Sequence, residues 1–156
     1  MALSDEEIDQ LHLGLRLMQE RKELAAALFY PRLFEIAPDT RPLFSDDIVG
    51  QTEKTLFAFG AVVARIHELE SEDSMSRDLA RRHVAYGVKP AHYPQVGKAV
   101  LSILAEVLGD EYFTPEMETA WRKAYDEIAL SMVKAAYGIE VQDLADLDEP
   151  ALEAAQ

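Results

Sequence analysis

Apolar residues recur at intervals of three and four along most of the chain, which is the spacing of an amphipathic helix. Residues that start helices open two of these stretches: Ser4 and Glu7 form a capping box at the first, and Thr114 with Pro115 begins the last. No run of strand length alternates between apolar and polar residues, and no repeat of fixed period occurs. The chain is therefore predicted to be all-α, with six or seven helices. The helical patterns cover residues 4–21, 23–36, 50–69, 74–86, 93–108 and 114–138.

Pro31 lies inside the second helical pattern. Its ring cannot donate a backbone hydrogen bond and crowds the carbonyl of Ala27, which costs about 3 kcal/mol in a helix interior. We therefore expect a kink or a short break at this position, and the cost requires compensation from tertiary packing.

Composition places the chain among single-domain globular proteins. It has 156 residues, of which 49% are hydrophobic and 28% are charged. Acids outnumber bases by 29 to 15, and the net charge of −14 makes nucleic acids and anionic membrane surfaces unfavourable partners. Cysteine is absent, which excludes disulfides, thiolate nucleophiles, iron–sulfur clusters and Cys-based zinc sites.

The sequence shows no signal peptide and no stretch of 18 apolar residues, so we expect a cytoplasmic protein without membrane insertion. Residues 139–156 contain six acids and no base. We therefore expect one domain over residues 1–138, followed by an acidic tail that is flexible and solvated. The alternative is a docked segment, because Leu144 and Leu147 could share one apolar face.

The charge of the chain reverses locally between Leu79 and Ala105. This window contains four bases and no acid, although the average composition would place about five acids in it. Two explanations are open. The window is either a chance run in a helix that is buried on two sides, or a binding site for an anionic group.

His83 has the most informative context of the four histidines. Leu79 lies one helical turn before it, and Arg81 and Arg82 flank it on neighbouring faces. An inward imidazole beside outward guanidinium groups suits a planar cofactor that is held by a metal at its centre and by carboxylates at its edge. One histidine cannot complete a closed protein metal site, whereas haem requires only one protein ligand because the porphyrin supplies the others.

Five short motifs follow one another in the order Phe29–Phe34, Pro38–Phe44, His83–Val88, His92–Gly97 and Ala120–Tyr125. Together they resemble the bacterial globins, above all the single-domain haemoglobins and the haem domain of flavohaemoglobins. The resemblance covers about residues 4–138. It implies a globin fold, a three-over-three helical sandwich around haem b (iron protoporphyrin IX), and binding of dioxygen, nitric oxide and carbon monoxide.

The resemblance assigns residues to both sides of the haem. His83 matches the proximal iron ligand, and Tyr30 and Gln51 match the distal residues that donate hydrogen bonds to the gas ligand. An alignment shifted by one residue would give the roles of Gln51 and Thr55 to Thr52 and Leu56. The other haem contacts that the resemblance implies are Phe44, Lys54, Thr55, Leu79, Arg82, Val88, Tyr93 and Val96.

Two residues depart from the family pattern. Thr55 stands where Leu or Val is usual, and Ala136 stands where flavohaemoglobins have a glutamate that polarises the proximal histidine together with the tyrosine matched by Tyr93. The missing glutamate weakens a peroxidase-like interpretation. Lys54, Arg81 and Arg82 are candidates for contacts to the haem propionates, with ordinary solvated bases as the alternative.

The resemblance leads to two functional hypotheses. The first is reversible oxygen binding with high affinity, for storage, scavenging or delivery, because Tyr30 and Gln51 can both donate hydrogen bonds. The second is an enzyme, a nitric-oxide dioxygenase that converts nitric oxide and dioxygen to nitrate. The sequence contains no Gly-rich nucleotide loop, so we expect no reductase domain, and the enzyme would depend on a separate reductase. The missing glutamate at the position of Ala136 and the expected lack of a reductase domain favour oxygen binding over the enzyme.

Overall fold

The computed structural model describes residues 3–44, 54, 58, 60–66 and 75–147. Within these ranges the chain contains helices and no strand, which confirms the all-α prediction. None of these helices combines the length and the hydropathy needed to cross a bilayer. The helices are α1 (Asp5–Glu20), α2 (Lys22–Ile36), α3 (Met75–Ala85), α4 (His92–Tyr112) and α5 (Pro115–Tyr137), with 3-10 helices at Pro38–Leu43 and Leu144–Leu147 and a helical stretch at 60–64.

Local capping interactions start and end the helices as the sequence predicts. The Ser4 hydroxyl accepts a hydrogen bond from the Glu7 amide at 3.1 Å, and the Glu7 carboxylate accepts one from the Ser4 amide at 3.0 Å. At the start of α5, the Thr114 hydroxyl accepts a hydrogen bond from the Met117 amide at 3.2 Å. Gly138 ends α5 with a φ of +68°, a left-handed conformation that glycine adopts without steric cost.

The short break considered at Pro31 does not occur, because α2 is helical on both sides of it. Pro31 itself is exposed, while Phe29, Tyr30 and Leu33 point into the core. The packing of α2 against α4 therefore compensates for the missing backbone hydrogen bond.

The core consists of two apolar clusters that share α4. In the first core cluster, α1 and α3 pack against α5, and in the second, α2 packs against α4. Val96 and Val100 of α4 lie between the clusters and contact both. The first core cluster includes Leu11, Ala80, Tyr93, Leu104, Trp121, Tyr125 and Val133, and the second consists of Ala25, Phe29, Tyr30, Leu33, Ala37, Ala99, Ile103 and Val107.

Part of the acidic tail is docked, in contrast to the solvated tail that we expected. Leu144 and Leu147 are 7% and 0% exposed and belong to the first core cluster, where their 3-10 helix contacts α4 and α5. Residues three apart lie on one side of a 3-10 helix, so both leucines can be buried together, and each contributes about 1.5–3 kcal/mol. The alternative of a docked segment is therefore correct for residues 144–147. Residues 148–156 lie outside the described ranges.

Candidate functional site

His83 lies in the last turn of α3, and its side chain is half-buried. Its Nδ1 is 2.7 Å from the carbonyl oxygen of Leu79, one turn earlier. A carbonyl oxygen can only accept, so Nδ1 carries a proton, and in the neutral imidazole the lone pair is then on Nε2. This tautomer, fixed by a hydrogen bond to the other ring nitrogen, is the form of histidine that binds a metal.

Two tyrosine rings flank the His83 imidazole. The Tyr93 ring lies 6.4 Å from it and the Tyr86 ring 6.1 Å, measured between ring centroids. The Tyr93 hydroxyl is buried and has no hydrogen-bond partner within the described part of the chain. Burial raises the pKa of the Tyr93 phenol well above its ordinary value of 10.0, and the nearby Tyr137 raises it further. Tyr93 therefore stays a neutral phenol beside His83.

Tyr125 fixes the position of the helical turn that carries Tyr93. Its hydroxyl donates a hydrogen bond of 2.5 Å to the Tyr93 carbonyl oxygen. Its ring lies so close to α4 that a Cβ at Gly97 would be 2.6 Å from Tyr125 Cε1. Any larger residue at Gly97 would displace the ring, and Tyr93 would move with it.

The turn between α3 and α4 is held from two directions. From α5, the Tyr137 hydroxyl donates a hydrogen bond to the Val88 carbonyl oxygen. Within the turn, the Lys89 amide donates to Nδ1 of the buried His92 at 3.0 Å, so His92 must donate from Nε2 to the Asp39 carboxylate, also at 3.0 Å. We did not predict a role for His92, although it lies in one of the motifs that carry the resemblance. Its bond to Asp39 links this turn to the 3-10 helix after α2.

Tyr30 lies in the second core cluster, where α2 packs against α4. It is 0% exposed, and its ring packs against three phenylalanine rings. The centroid distances are 5.1 Å to Phe29, 5.7 Å to Phe34 and 4.6 Å to Phe44. The ring cluster fixes the direction of the phenol, which is the property a hydrogen-bond donor to a ligand requires.

The structure thus sorts the predicted site residues into two groups. Leu79, Val88 and Tyr93 belong to or pack against the first core cluster with α3, while Tyr30 and Phe44 belong to or pack against the second. Val96 contacts both clusters and therefore lies at the boundary between the groups.

The remaining predicted residues lie outside this arrangement. Lys54, Arg81 and Arg82 are exposed, which is compatible with propionate contacts at a surface edge and equally with solvated bases. Ala136 is half-buried against the first core cluster and offers no carboxylate. The distal candidates Gln51 and Thr55, and their alternatives Thr52 and Leu56, lie outside the described residues.

Comparison with known proteins decides the family. The sequence profile described as Globin matches residues 27–132, which is more than half of the chain. This chain belongs to the globin family. The all-α globin fold implied by the resemblance is therefore confirmed, and haem-based binding of diatomic gases is the class of function that the family supports.

Similar proteins include both short and long globins. A flavohaemoprotein of Bacillus subtilis is 31% identical over 152 residues, 96% of this chain and 37% of that protein, so the chain spans little more than one third of that relative. An uncharacterized globin-like protein of Aquifex aeolicus is 34% identical over 131 residues, 84% of this chain and 92% of that protein. A solved structure of an engineered carbene transferase, a proposed nitric oxide dioxygenase from Rhodothermus marinus, has a TM-score of 0.72 at 29% identity and covers 86% of this chain and 94% of its own.

The residues present fit a haem. His83 offers a neutral imidazole with a free Nε2 lone pair. Among the described residues, no group of three or more His, Asp or Glu side chains could hold a metal ion. In a haem, the porphyrin supplies ligands to the iron beside that of the histidine.

The buried Tyr93 phenol gives a prediction at high pH. A phenol whose pKa is higher in the folded protein stabilises the fold below its unfolded-state pKa of about 10, and this contribution is lost as the pH rises above that value. We expect the free energy of unfolding to fall between about pH 10 and about pH 12, and to fall less steeply in Tyr93→Phe. Urea unfolding across this range measures the slope, with Tyr112→Phe at an exposed ring as the control. Equal slopes in wild type and Tyr93→Phe would contradict this account of Tyr93.

Proposed function

We propose that this globin binds haem b through Nε2 of His83 and binds dioxygen reversibly and with high affinity, for storage, scavenging or delivery. The observation that carries the proposal is the hydrogen bond from His83 Nδ1 to the Leu79 carbonyl oxygen, because it fixes the imidazole in its metal-binding tautomer. Family membership supports the haem, while the identification of individual residues rests on the resemblance and on their placement.

Haem, when bound, supplies an iron centre at which a diatomic gas binds reversibly. The chain supplies the groups around it. His83 would hold the iron from the side of α3, with the buried phenol of Tyr93 next to it. Tyr30, held in its cluster of phenylalanine rings, is the phenol that would donate a hydrogen bond to the gas. Val96 packs against both clusters and would offer the haem an apolar contact.

Hydrogen bonding explains why this arrangement would favour dioxygen. A ligand that acquires partial negative charge gains from a donor, whereas carbon monoxide gains little. Each net hydrogen bond contributes about 1 kcal/mol, and more when the acceptor is charged. Tyr30 together with Gln51 would therefore slow the release of dioxygen by at least about tenfold, a rate suited to storage or scavenging.

The proposal has three further parts. The protein is cytoplasmic, it also binds nitric oxide and carbon monoxide, and a separate reductase returns its iron to the ferrous state. The absence of cysteine fits a reducing compartment.

Replacement of the proximal ligand tests the haem site. We expect His83→Gly to lose the Soret band of the purified protein and to regain it when imidazole is added, because the free ligand occupies the vacated position. His12→Gly, on the exposed side of α1, is the matched control, since glycine costs about the same in either helix. A normal Soret band in His83→Gly without imidazole would contradict the assignment.

Replacement of the distal donors tests the oxygen-binding role. We expect Tyr30→Phe to raise the oxygen dissociation rate by about tenfold, because one donor is lost, and to leave carbon monoxide binding nearly unchanged. Stopped-flow displacement of oxygen measures the rate. Gln51→Val should also raise it, while Thr52→Val should not, and the reverse pattern would establish the shifted alignment. No acceleration in Tyr30→Phe would rule out the distal donor.

A nitric-oxide dioxygenase is the second candidate. The similarity to the Rhodothermus marinus protein favours it, and the pair Tyr30 and Gln51 is compatible with it. Against it, the chain has Ala136 where the resemblance places a glutamate that would increase the basicity of the proximal histidine.

Turnover of nitric oxide separates the two candidates. We expect the oxygenated protein, supplied with a reductase and a nicotinamide cofactor, to oxidise nitric oxide rapidly in the first turnover and slowly afterwards, because re-reduction of a storage protein needs to offset only slow oxidation of the iron. An electrode assay of nitric oxide consumption measures this, with the reductase alone as the control. Sustained turnover that is lost in Tyr30→Phe would establish the enzyme instead.

A further inference from the structure

The solvent-facing side of α3 and of the turn after it differs from the rest of the molecule in charge. Residues 75–92 carry four bases and one acid, a net charge of +3, whereas the rest of the chain carries 28 acids and 11 bases, a net charge of −17. The side chains that form this surface are exposed. We define the α3 face as Arg77, Arg81, Arg82, Val84, Tyr86 and Lys89. The one acid of α3, Asp78, is exposed beside it, with Oδ1 3.9 Å from Arg81 Nη1.

The α3 face also exposes apolar side chains. Four large hydrophobic residues are exposed within the described ranges, and two of them, Val84 at 45% and Tyr86 at 61%, belong to this face. Tyrosine and arginine are enriched at the centres of protein interfaces, where an apolar contact is surrounded by polar groups. Such exposed apolar groups among bases, on a protein that is otherwise acidic, are typical of a site that binds an acidic protein.

The α3 face is also the surface next to the proposed iron ligand. The ring of Tyr86 is 61% exposed, and its centroid is 6.1 Å from that of His83. A partner that contacts Tyr86 would therefore be separated from the iron only by the Tyr86 side chain and the His83 imidazole. This short path from the surface to the metal indicates what the partner would do there.

We propose that the α3 face docks an acidic one-electron carrier protein, which reduces the haem iron through the side of His83. The inference rests on the proposed haem site and names the partner that it requires. In the reaction, the reduced carrier loses one electron and the ferric iron gains it to become ferrous, with no bond made or broken in the protein. The acidic remainder of the chain repels an extended polyanion or an anionic membrane, which would have to cross it, whereas a small protein contacts the α3 face alone.

Electrostatic docking predicts how charge changes affect the rate. Anaerobic stopped-flow mixing of the ferric, haem-loaded protein with a reduced acidic flavodoxin measures the second-order rate of iron reduction. We expect Arg81→Glu to lower this rate by about tenfold at low ionic strength, and high salt to remove most of the difference. Tyr86→Ser should lower it at every ionic strength, because the apolar contact is lost. Arg16→Glu, at an exposed position on α1, is the matched control and should stay close to wild type.

A direct measurement of contact complements the rate. Isotope-labelled, carbon monoxide-bound protein is titrated with oxidised flavodoxin, and amide shifts should move in α3 and the turn after it. Equal reduction rates in wild type, Arg81→Glu and Arg16→Glu, with shifts elsewhere on the protein, would overturn the docking site.

Two further outcomes distinguish failure of the proposed function from failure of the docking site. If the wild-type protein binds no haem, the proposed function fails. If every variant has a normal Soret band and is reduced normally by dithionite, while the flavodoxin rates do not differ, only the docking site fails. Sedimentation of the protein alone shows whether the acidic surface of a second copy covers the α3 face. A wild-type dimer that Arg81→Glu dissociates would replace the carrier protein by self-association and so overturn the proposal.

Discussion

The hydrogen bond between His83 Nδ1 and the Leu79 carbonyl oxygen is the interaction on which the candidate site depends. It is local, spanning one helical turn, and it determines which ring nitrogen can bind a metal. It has this effect only because α3 is held in place against α5, with Tyr93 beside the imidazole. A flexible α3 would keep the tautomer but not the position of the imidazole beside Tyr93.

Long-range hydrogen bonds supply that rigidity. Tyr137 holds the Val88 carbonyl from α5, and His92 connects the Lys89 amide to the Asp39 carboxylate. Because Asp39 lies in the 3-10 helix that leads to Phe44, the turn after α3 and the segment beside Tyr30 are joined directly. The two core clusters are thus linked both through α4 and through this polar bridge.

The excess of bases around His83 supports two inferences, a cofactor site on the inner side of α3 and a docking surface on its outer side. The absence of acids from Leu79 to Ala105 suggested a seat for an anionic group, and the inward His83 is consistent with a cofactor whose carboxylates face outward. The structure adds that Arg81 and Arg82 are exposed, next to the uncovered ring of Tyr86. A basic surface beside the proposed metal ligand can therefore contact both the edge of a cofactor and an acidic protein.

The sequence by itself determined what depends on neighbours along the chain: the capping box at Ser4, the end of α5 at Gly138 and the context of His83. Only the tertiary structure decided whether α2 breaks at Pro31 and whether Leu144 and Leu147 dock, because both outcomes rest on packing against distant helices. The His92 bridge was invisible for the same reason, since one of its two partners, Asp39, lies 53 residues earlier in the sequence. Local geometry follows from the order of residues, while burial depends on what the rest of the chain brings near.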